Sequence, residues 1–82
     1  MKYVQFFDVR SGVKKLLGEL RLEKGRLVMS KGLASHWRGR NSYELLAGGG
    51  FETLYDPEKI LDAAPRTFTS DDFLASEVKT GF

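Results

Sequence analysis

The side chains best suited to catalysis or ligand binding occur together in one five-residue stretch, His36-Trp37-Arg38-Gly39-Arg40. It holds the only histidine and the only tryptophan of the chain. Tryptophan and arginine stack on bases, contact phosphates and dominate interface hot spots. Three interpretations of the stretch stay open: it forms a basic groove for nucleic acid, Trp37 fills a gap between sheet and helices, or Trp37 anchors a protein partner. The candidate contacts of the groove are Trp37, Arg38, Arg40, Lys31, Arg21, Lys24 and Arg26.

His36 also has the chemistry of a general base, because an unperturbed imidazole titrates near neutral pH. Such a base needs a second catalytic group and a charge stabiliser around it, and no spacing in this sequence selects either one. Asp71 and Asp72 are adjacent, so on a helix they would point about 100° apart and form no joint acid–base pair. The sequence therefore predicts a protein that is not an enzyme and has no catalytic residue.

Metal and cofactor sites lack their usual ligands in this chain. There is no cysteine and a single histidine, which excludes disulfide frameworks, thiolate nucleophiles and Cys- or His-rich metal sites. Asp56, Glu58 and Asp62 do not have the spacing or the central glycine of a calcium loop. The glycines at 48–50 lack the lysine and hydroxyl residue of a phosphate-binding loop. We expect no metal and no cofactor.

Length and composition predict one small folded domain over residues 1–82. Hydrophobic residues make up 41% of the chain and aromatic residues 12%, too many for wholesale disorder. A chain of this size buries only about 60–65% of its unfolded surface, so the core will be thin. No apolar run is longer than three residues, the length reached at 27–29, 45–47 and 73–75, against about 20 for a membrane helix. With no signal-peptide pattern at the start, we expect a cytoplasmic protein without a membrane partner.

Charge is divided unevenly along the chain. Residues 1–40 carry ten basic and three acidic residues, a net of +7, and residues 41–82 carry three basic and eight acidic residues, a net of −5. Such asymmetry is typical of an interaction surface. It is equally expected if an acidic helical half packs on a basic sheet half, or if basic residues protect exposed strand edges.

The first thirty residues predict a three-stranded antiparallel meander. Strands at 2–10, 16–23 and 26–30 are separated by the turn signals Ser11-Gly12 and Lys24-Gly25. Two-residue turns set the register of both hairpins. In the first hairpin, they place Phe7 opposite Leu16, Tyr3 opposite Leu20, and Asp8 opposite Lys15. In the second, they place Leu22 opposite Leu27, Leu20 opposite Met29, and Glu23 opposite Arg26.

This register divides the apolar residues between two faces of the sheet. Directly opposed residues share a face, so one face is expected to form the core: Tyr3, Phe7, Leu16, Leu20, Leu22, Leu27 and Met29. The other face keeps four apolar side chains, which could pack against a partner: Val4, Phe6, Leu17 and Val28.

The last third predicts two short helices. Asp56 can cap the first, with Pro57 at its first position and Pro65 ending it. Its apolar stripe consists of Ile60, Leu61 and Ala64. The second begins at Thr69, with Phe68 and Phe73 as a hydrophobic staple. On this second helix, the residues expected to face the core are Phe73, Leu74 and Val78.

The predicted fold class is therefore α+β, with an N-terminal meander of three to four strands packed against two short C-terminal helices. A fourth strand could lie at 43–47 or 51–55, and residues 31–50 show no clear period. The alternative fold is a small SH3-like or OB-like barrel with a helical extension. The function expected first is a non-enzymatic protein-interaction or assembly module, with a protein partner or self-association. Nucleic-acid binding is the alternative, and a small hydrolase using His36 comes third.

Overall fold

The structure is a computed structural model, and it describes residues 1–37, 56–67 and 69–81, with the side chains of Trp37 and Thr67 outside the description. Five strands form one antiparallel sheet in the order β3-β2-β1-β4, and β5 also pairs with β1. Two helices accompany the sheet in the described part of the chain, so the architecture is α+β. In chain order, the elements are β1 (Lys2–Asp8), β2 (Lys15–Glu23), β3 (Arg26–Met29), α1 (Lys31–Trp37), α2 (Pro57–Thr67), β4 (Phe73–Ala75) and β5 (Lys79–Thr80).

The predicted register of the second hairpin is confirmed. Leu20 pairs with Met29, Leu22 with Leu27, and Glu23 with Arg26. Lys24 and Gly25 both have positive φ, at 51° and 76°. Two successive left-handed residues form the turn whose twist matches that of the flanking strands, which is why a two-residue loop fits here.

The first hairpin follows the prediction only near its turn. Phe7 pairs with Leu16, as predicted, but Phe6 pairs with Gly18, so Leu17 is an extra residue in β2. This β-bulge shifts the register of the rest of the hairpin by one residue. Tyr3 therefore pairs with Arg21, and its predicted pairing with Leu20 is wrong.

The bulge also changes which residues of β1 form the core. Side chains alternate between faces, so a one-residue shift moves a whole set of them to the opposite side. Val4 and Phe6 have no exposed surface and pack with Leu20, which is also fully buried. Tyr3 and Phe7 lie on the other face. The predicted core face was thus wrong for β1, and the expectation that Val4 and Phe6 face a partner is corrected with it.

A tight corner carries the chain from β3 into α1. The backbone N–H of Ser30 donates to the carbonyl of Glu19 at 3.0 Å, and the Glu19 N–H donates to Ser30 Oγ at 3.1 Å. This leaves the Ser30 carbonyl to accept from the Ala34 N–H, at 2.9 Å, as the first helical hydrogen bond. Ser30 thus ends the pairing of β3 with β2 and begins α1, a helix within the segment 31–50 that shows no clear sequence period.

Two glycines let α1 approach the bulge closely. A Cβ on Gly18 would collide with Ser30 Oγ, and a Cβ on Gly32 would collide with the carbonyl oxygen of Leu17. Glycine is the residue that permits such backbone contact. The close approach carries Leu33 into the core, where it is fully buried.

Helix α2 confirms the predicted cap and apolar stripe. Asp56 Oδ1 accepts from the Glu58 N–H at 3.0 Å, and the Asp56 carbonyl accepts from the Ile60 N–H at 3.1 Å. The buried stripe consists of Ile60, Leu61 and Ala64. The helix continues through Pro65 to Thr67, so the predicted end was wrong. Pro65 lies in the last turn, where its missing N–H removes a single helical hydrogen bond.

The predicted second C-terminal helix is replaced by β4 and β5. Ser70 Oγ accepts from the Asp72 N–H at 3.3 Å, and the Ser70 N–H donates to the Phe73 carbonyl at 2.9 Å, forming a turn in place of a helical cap. The chain then pairs with the free side of β1. The pairing of this segment with β1 outweighs its local preference for a helix, as tertiary contacts commonly do. The possible strands at 43–47 and 51–55 lie outside the described residues.

Candidate functional site

Both described helices pack on one side of the sheet, and its other side is here called the open face. Helix residues Leu33 and Leu61 share a single core cluster with Val4, Phe6 and Leu20, so that side is the covered one. Register and alternation place the opposite set of side chains on the open face. They are Tyr3, Gln5, Phe7, Leu16, Glu19, Arg21, Glu23, Arg26, Val28, Leu74 and Lys79.

Three apolar side chains cross the open face side by side. Phe7 of β1 lies between Leu16 of β2 and Leu74 of β4, each directly opposite it in the register. Leu16 is 55% exposed and Leu74 is 44% exposed. Val13, in the loop before β2, is 65% exposed. We call Leu16, Phe7 and Leu74 the apolar row. A contiguous exposed row of this kind is typical of an interaction surface, whereas single exposed apolar residues are ordinary.

Charges of both signs border the apolar row. The Lys14 ammonium lies 4.2 Å from the centroid of the Phe7 ring, a cation–π contact. Lys79 Nζ donates to Gln5 Oε1 at 3.0 Å. Further along β2, Arg21 Nη2 lies 3.9 Å from Glu23 Oε2. The open face therefore combines an apolar strip with alternating positive and negative side chains.

A second group of side chains gathers around His36 at the end of β1. The His36 and Phe73 rings are tilted against each other with centroids 4.6 Å apart. The Arg10 guanidinium lies 5.2 Å from the Phe73 ring centroid and holds the Asp8 carboxylate through two nitrogens, the shorter contact being 2.7 Å. We call Asp8, Arg10, His36 and Phe73 the His36 cluster. The Arg10 guanidinium lowers the pKa of Asp8 to about 2, mainly through its hydrogen bonds, and His36 acts in the same direction.

The lowered pKa of Asp8 makes the free energy of unfolding depend on pH in the acid range. A carboxylate with a lowered pKa stabilises the folded state above its unfolded pKa of about 3.9, and this contribution is lost as pH falls. We expect the stability advantage of wild type over Asp8→Asn to shrink between about pH 4 and pH 2. Urea unfolding over that range measures it, and a constant difference between the two proteins would contradict it.

The predicted nucleic-acid residues are only partly brought together. Arg21 and Arg26 lie on the open face, and Lys24 lies in the turn beside them. Lys31 begins α1, which packs on the covered side. Trp37 has no described side chain, and Arg38 and Arg40 lie outside the described residues.

The predicted partner-binding set is also divided by the structure. Val4 and Phe6 are buried in the core, and Leu17, the bulged residue, packs against that core. Val28 alone lies on the open face. The sequence analysis missed Leu74 because it placed this residue in a helix. It placed Phe7 and Leu16 together but on the wrong face. Gly18 was the available signal, because an isolated glycine in a strand marks a bulge.

Some charges of the basic half form ion pairs with the acidic half within the chain. Lys2 of β1 contacts Glu58 of α2 at 2.6 Å and Asp62 at 3.9 Å. Such ion pairs are of the kind expected if the acidic half of the chain packs on the basic sheet half. Among the described residues, no group of three or more acidic or histidine side chains could hold a metal ion. No helix in that part of the chain is long and apolar enough to span a membrane.

Comparison with protein-family models, curated proteins and solved structures finds no match for this chain. Its function is therefore inferred from the geometry of the open face.

Proposed function

We propose that this chain is a non-enzymatic assembly module that associates with a second copy of itself through the open face. The exposed apolar row is the observation that carries the proposal. Its residues come from three adjacent strands, so the sheet holds them in a fixed arrangement. Rigid apolar side chains associate with little loss of conformational entropy.

The charge pattern favours a second copy as the partner. Around the apolar row, the open face carries Lys14 and Lys79 but also Glu19, with Arg21 and Glu23 further along. A symmetric dimer places the same surface on both sides, and a charged face of mixed sign can complement itself. A face of a single sign would repel its own copy.

Sedimentation velocity tests the proposal. We expect wild type to associate as its concentration rises from about 1 µM to about 500 µM, a range suited to weak interfaces. Leu16→Glu should raise the dimer dissociation constant at least about tenfold, because it places a charge inside the contact. Leu74→Glu should have the same effect from the other end of the row.

Ser35→Glu is the matched control, since Ser35 is an exposed residue of α1, on the covered side of the sheet. It adds the same charge and should leave association unchanged. A wild-type protein that stays monomeric throughout, or a loss of association in all three variants alike, would overturn the proposal. Far-UV circular dichroism confirms that each variant remains folded.

Nucleic-acid binding is the second candidate, favoured by the aromatic residues on the open face. Tyr3 and Phe7 lie on β1, with Arg21 on the adjacent strand β2 and Arg26 on β3 beyond it. Aromatic and basic side chains on one sheet form a platform for stacked bases. It ranks second because Glu23 lies 3.9 Å from Arg21 and also opposes Arg26 in the register. Fluorescence anisotropy of a labelled single-stranded RNA, at about 50 and 200 mM salt, would detect such binding by its salt dependence.

A further inference from the structure

Next to the apolar row, the open face carries two opposite charges on the two sides of β1. Gln5 lies on β1, two residues before Phe7, and shares the open face with it. Glu19 of β2 opposes Gln5 in the register, on one side. On the other side, Lys79 of β5 pairs with Tyr3, and its Nζ reaches along the sheet to donate to Gln5 Oε1 at 3.0 Å. A negative and a positive group therefore flank β1 at Gln5.

The apolar row repeats this arrangement at Phe7. Leu16 of β2 and Leu74 of β4 flank Phe7 on the same two sides of β1. The open face is therefore organised in two steps along β1, with leucine and leucine at the first step and glutamate and lysine at the second. Each step becomes complementary to itself when its two sides are exchanged.

A two-fold axis that lies in the interface and runs along β1 exchanges these two sides. Two copies related by this axis pack face to face with their strands nearly aligned, which is the common arrangement of packed sheets. The axis sets Phe7 against Phe7 of the second copy and Leu16 against Leu74 of the second copy. It also sets Glu19 against Lys79 of the second copy, and by symmetry this ion pair forms twice.

A two-fold axis along the apolar row would use the charges differently. It exchanges the two ends of the strands, so it separates Glu19 from Lys79 and carries Glu19 towards the loop before β2. There the Lys14 ammonium lies 4.2 Å from the Phe7 ring centroid. The axis along β1 is favoured because Lys79 Nζ is already held over the sheet by Gln5, whereas Lys14 is an exposed residue outside the strands. A group held in place loses less entropy on binding.

We propose that Glu19 and Lys79 select a second copy of this chain as the partner of the open face, through two equivalent ion pairs across a two-fold axis along β1. The inference rests on the proposed assembly function, because it assigns the arrangement of that same interface. The apolar row supplies the contact, and the ion pairs fix its orientation. They also disfavour any face that presents like charges at these positions.

Exchanging the two charges tests this pairing. Glu19→Lys alone and Lys79→Glu alone each set like charges against each other, so each should raise the dimer dissociation constant by about tenfold. The first variant presents two lysines at these positions and the second presents two glutamates. In an equimolar mixture, mixed dimers therefore regain both ion pairs. We expect sedimentation velocity of the mixture to return to the wild-type extent of association.

Two further variants control the experiment. Lys31→Glu makes the same change of charge at an exposed residue of α1, on the covered side, and should leave association unchanged. Lys14→Gln should give a dissociation constant no higher than that of wild type, because Lys14 forms no ion pair across the axis along β1. If a charge-exchange variant does not fold, Glu19→Gln and Lys79→Gln form a milder pair. Their effects on association should then be less than additive in the double variant.

The results separate this pairing from the assembly function. If wild type associates and Leu16→Glu disrupts it, but the mixture of charge-exchange variants does not recover, the pairing is overturned and the assembly function stands. Recovery when Glu19→Lys is mixed with Lys14→Glu, in place of Lys79→Glu, would also overturn it, because the axis would then run along the apolar row. A wild-type protein that stays monomeric would overturn both.

Discussion

Phe6→Ala should lower the free energy of unfolding by about 4 kcal/mol, the range for truncating a fully buried phenylalanine. Phe6 has no exposed surface and packs in the core with Val4 and Leu20. Phe7→Ala should cost only about 1 kcal/mol, because Phe7 lies on the open face and loses cross-strand and cation–π contacts alone. Two adjacent residues of the same type thus differ about fourfold in effect.

Urea unfolding of both variants at low micromolar concentration measures the difference without interference from association. A chain of 82 residues has a total stability of roughly 4–12 kcal/mol, so Phe6→Ala could unfold the protein completely. Phe6→Leu and Phe7→Leu provide the milder pair and should keep the same order. Equal costs at the two positions, or a larger cost at Phe7, would mean that the bulge does not shift the register of β1.

The features predicted correctly from sequence are those fixed by neighbours along the chain. The β2–β3 turn depends on Lys24 and Gly25 alone, and the α2 cap depends on Asp56 and Pro57. The pairing of Phe7 with Leu16 is close to its turn and was also predicted correctly. The alternation Leu16, Leu20, Leu22 suggested an unbroken strand, but the bulge at Leu17 places Leu16 on the open face and Leu20 in the core.

The features that were missed depend on contacts between distant segments. The run Thr69 to Asp72 has the residue types of a helix cap, yet the segment after it pairs with β1 instead. The His36 cluster brings Asp8, Arg10, His36 and Phe73 together from positions that share no local spacing. The apolar row could not be predicted without two features of the structure. Leu74 lies in the row because its segment is a strand and not a helix, and Phe7 lies on the open face because of the bulge in β2.

Gly18→Ala should destabilise the fold by about 3 kcal/mol, through overpacking and through its φ of 157°, which residues other than glycine rarely adopt. A Cβ at this position would collide with Ser30 Oγ and would lie 3.1 Å from both Cβ and N of Leu33. Relief requires moving α1, whose backbone is also held against Leu17 at Gly32. Such a movement would disturb the Glu19–Ser30 hydrogen bonds and withdraw Leu33 from the core.

Gly12→Ala separates this steric cost from backbone strain. Gly12 has a φ of 83° but open space where a Cβ would lie, so its substitution should cost only about 1 kcal/mol. Thermal unfolding should show a difference of roughly 8–16 °C between the two variants, at about 4–8 °C per kcal/mol. Equal melting temperatures would show that the corner can relax around a methyl group.

A double mutant locates the collision at a single pair of residues. Ser30→Ala alone loses the hydrogen bond from Glu19 and should cost about 1 kcal/mol. Combined with Gly18→Ala, it removes the oxygen that the new methyl group would strike. The double variant should therefore be more stable than the sum of the two single costs predicts, by 1 kcal/mol or so. Strict additivity would place the damage of Gly18→Ala at Leu33 or in the backbone strain at a φ of 157°, because neither is affected by the loss of Ser30 Oγ.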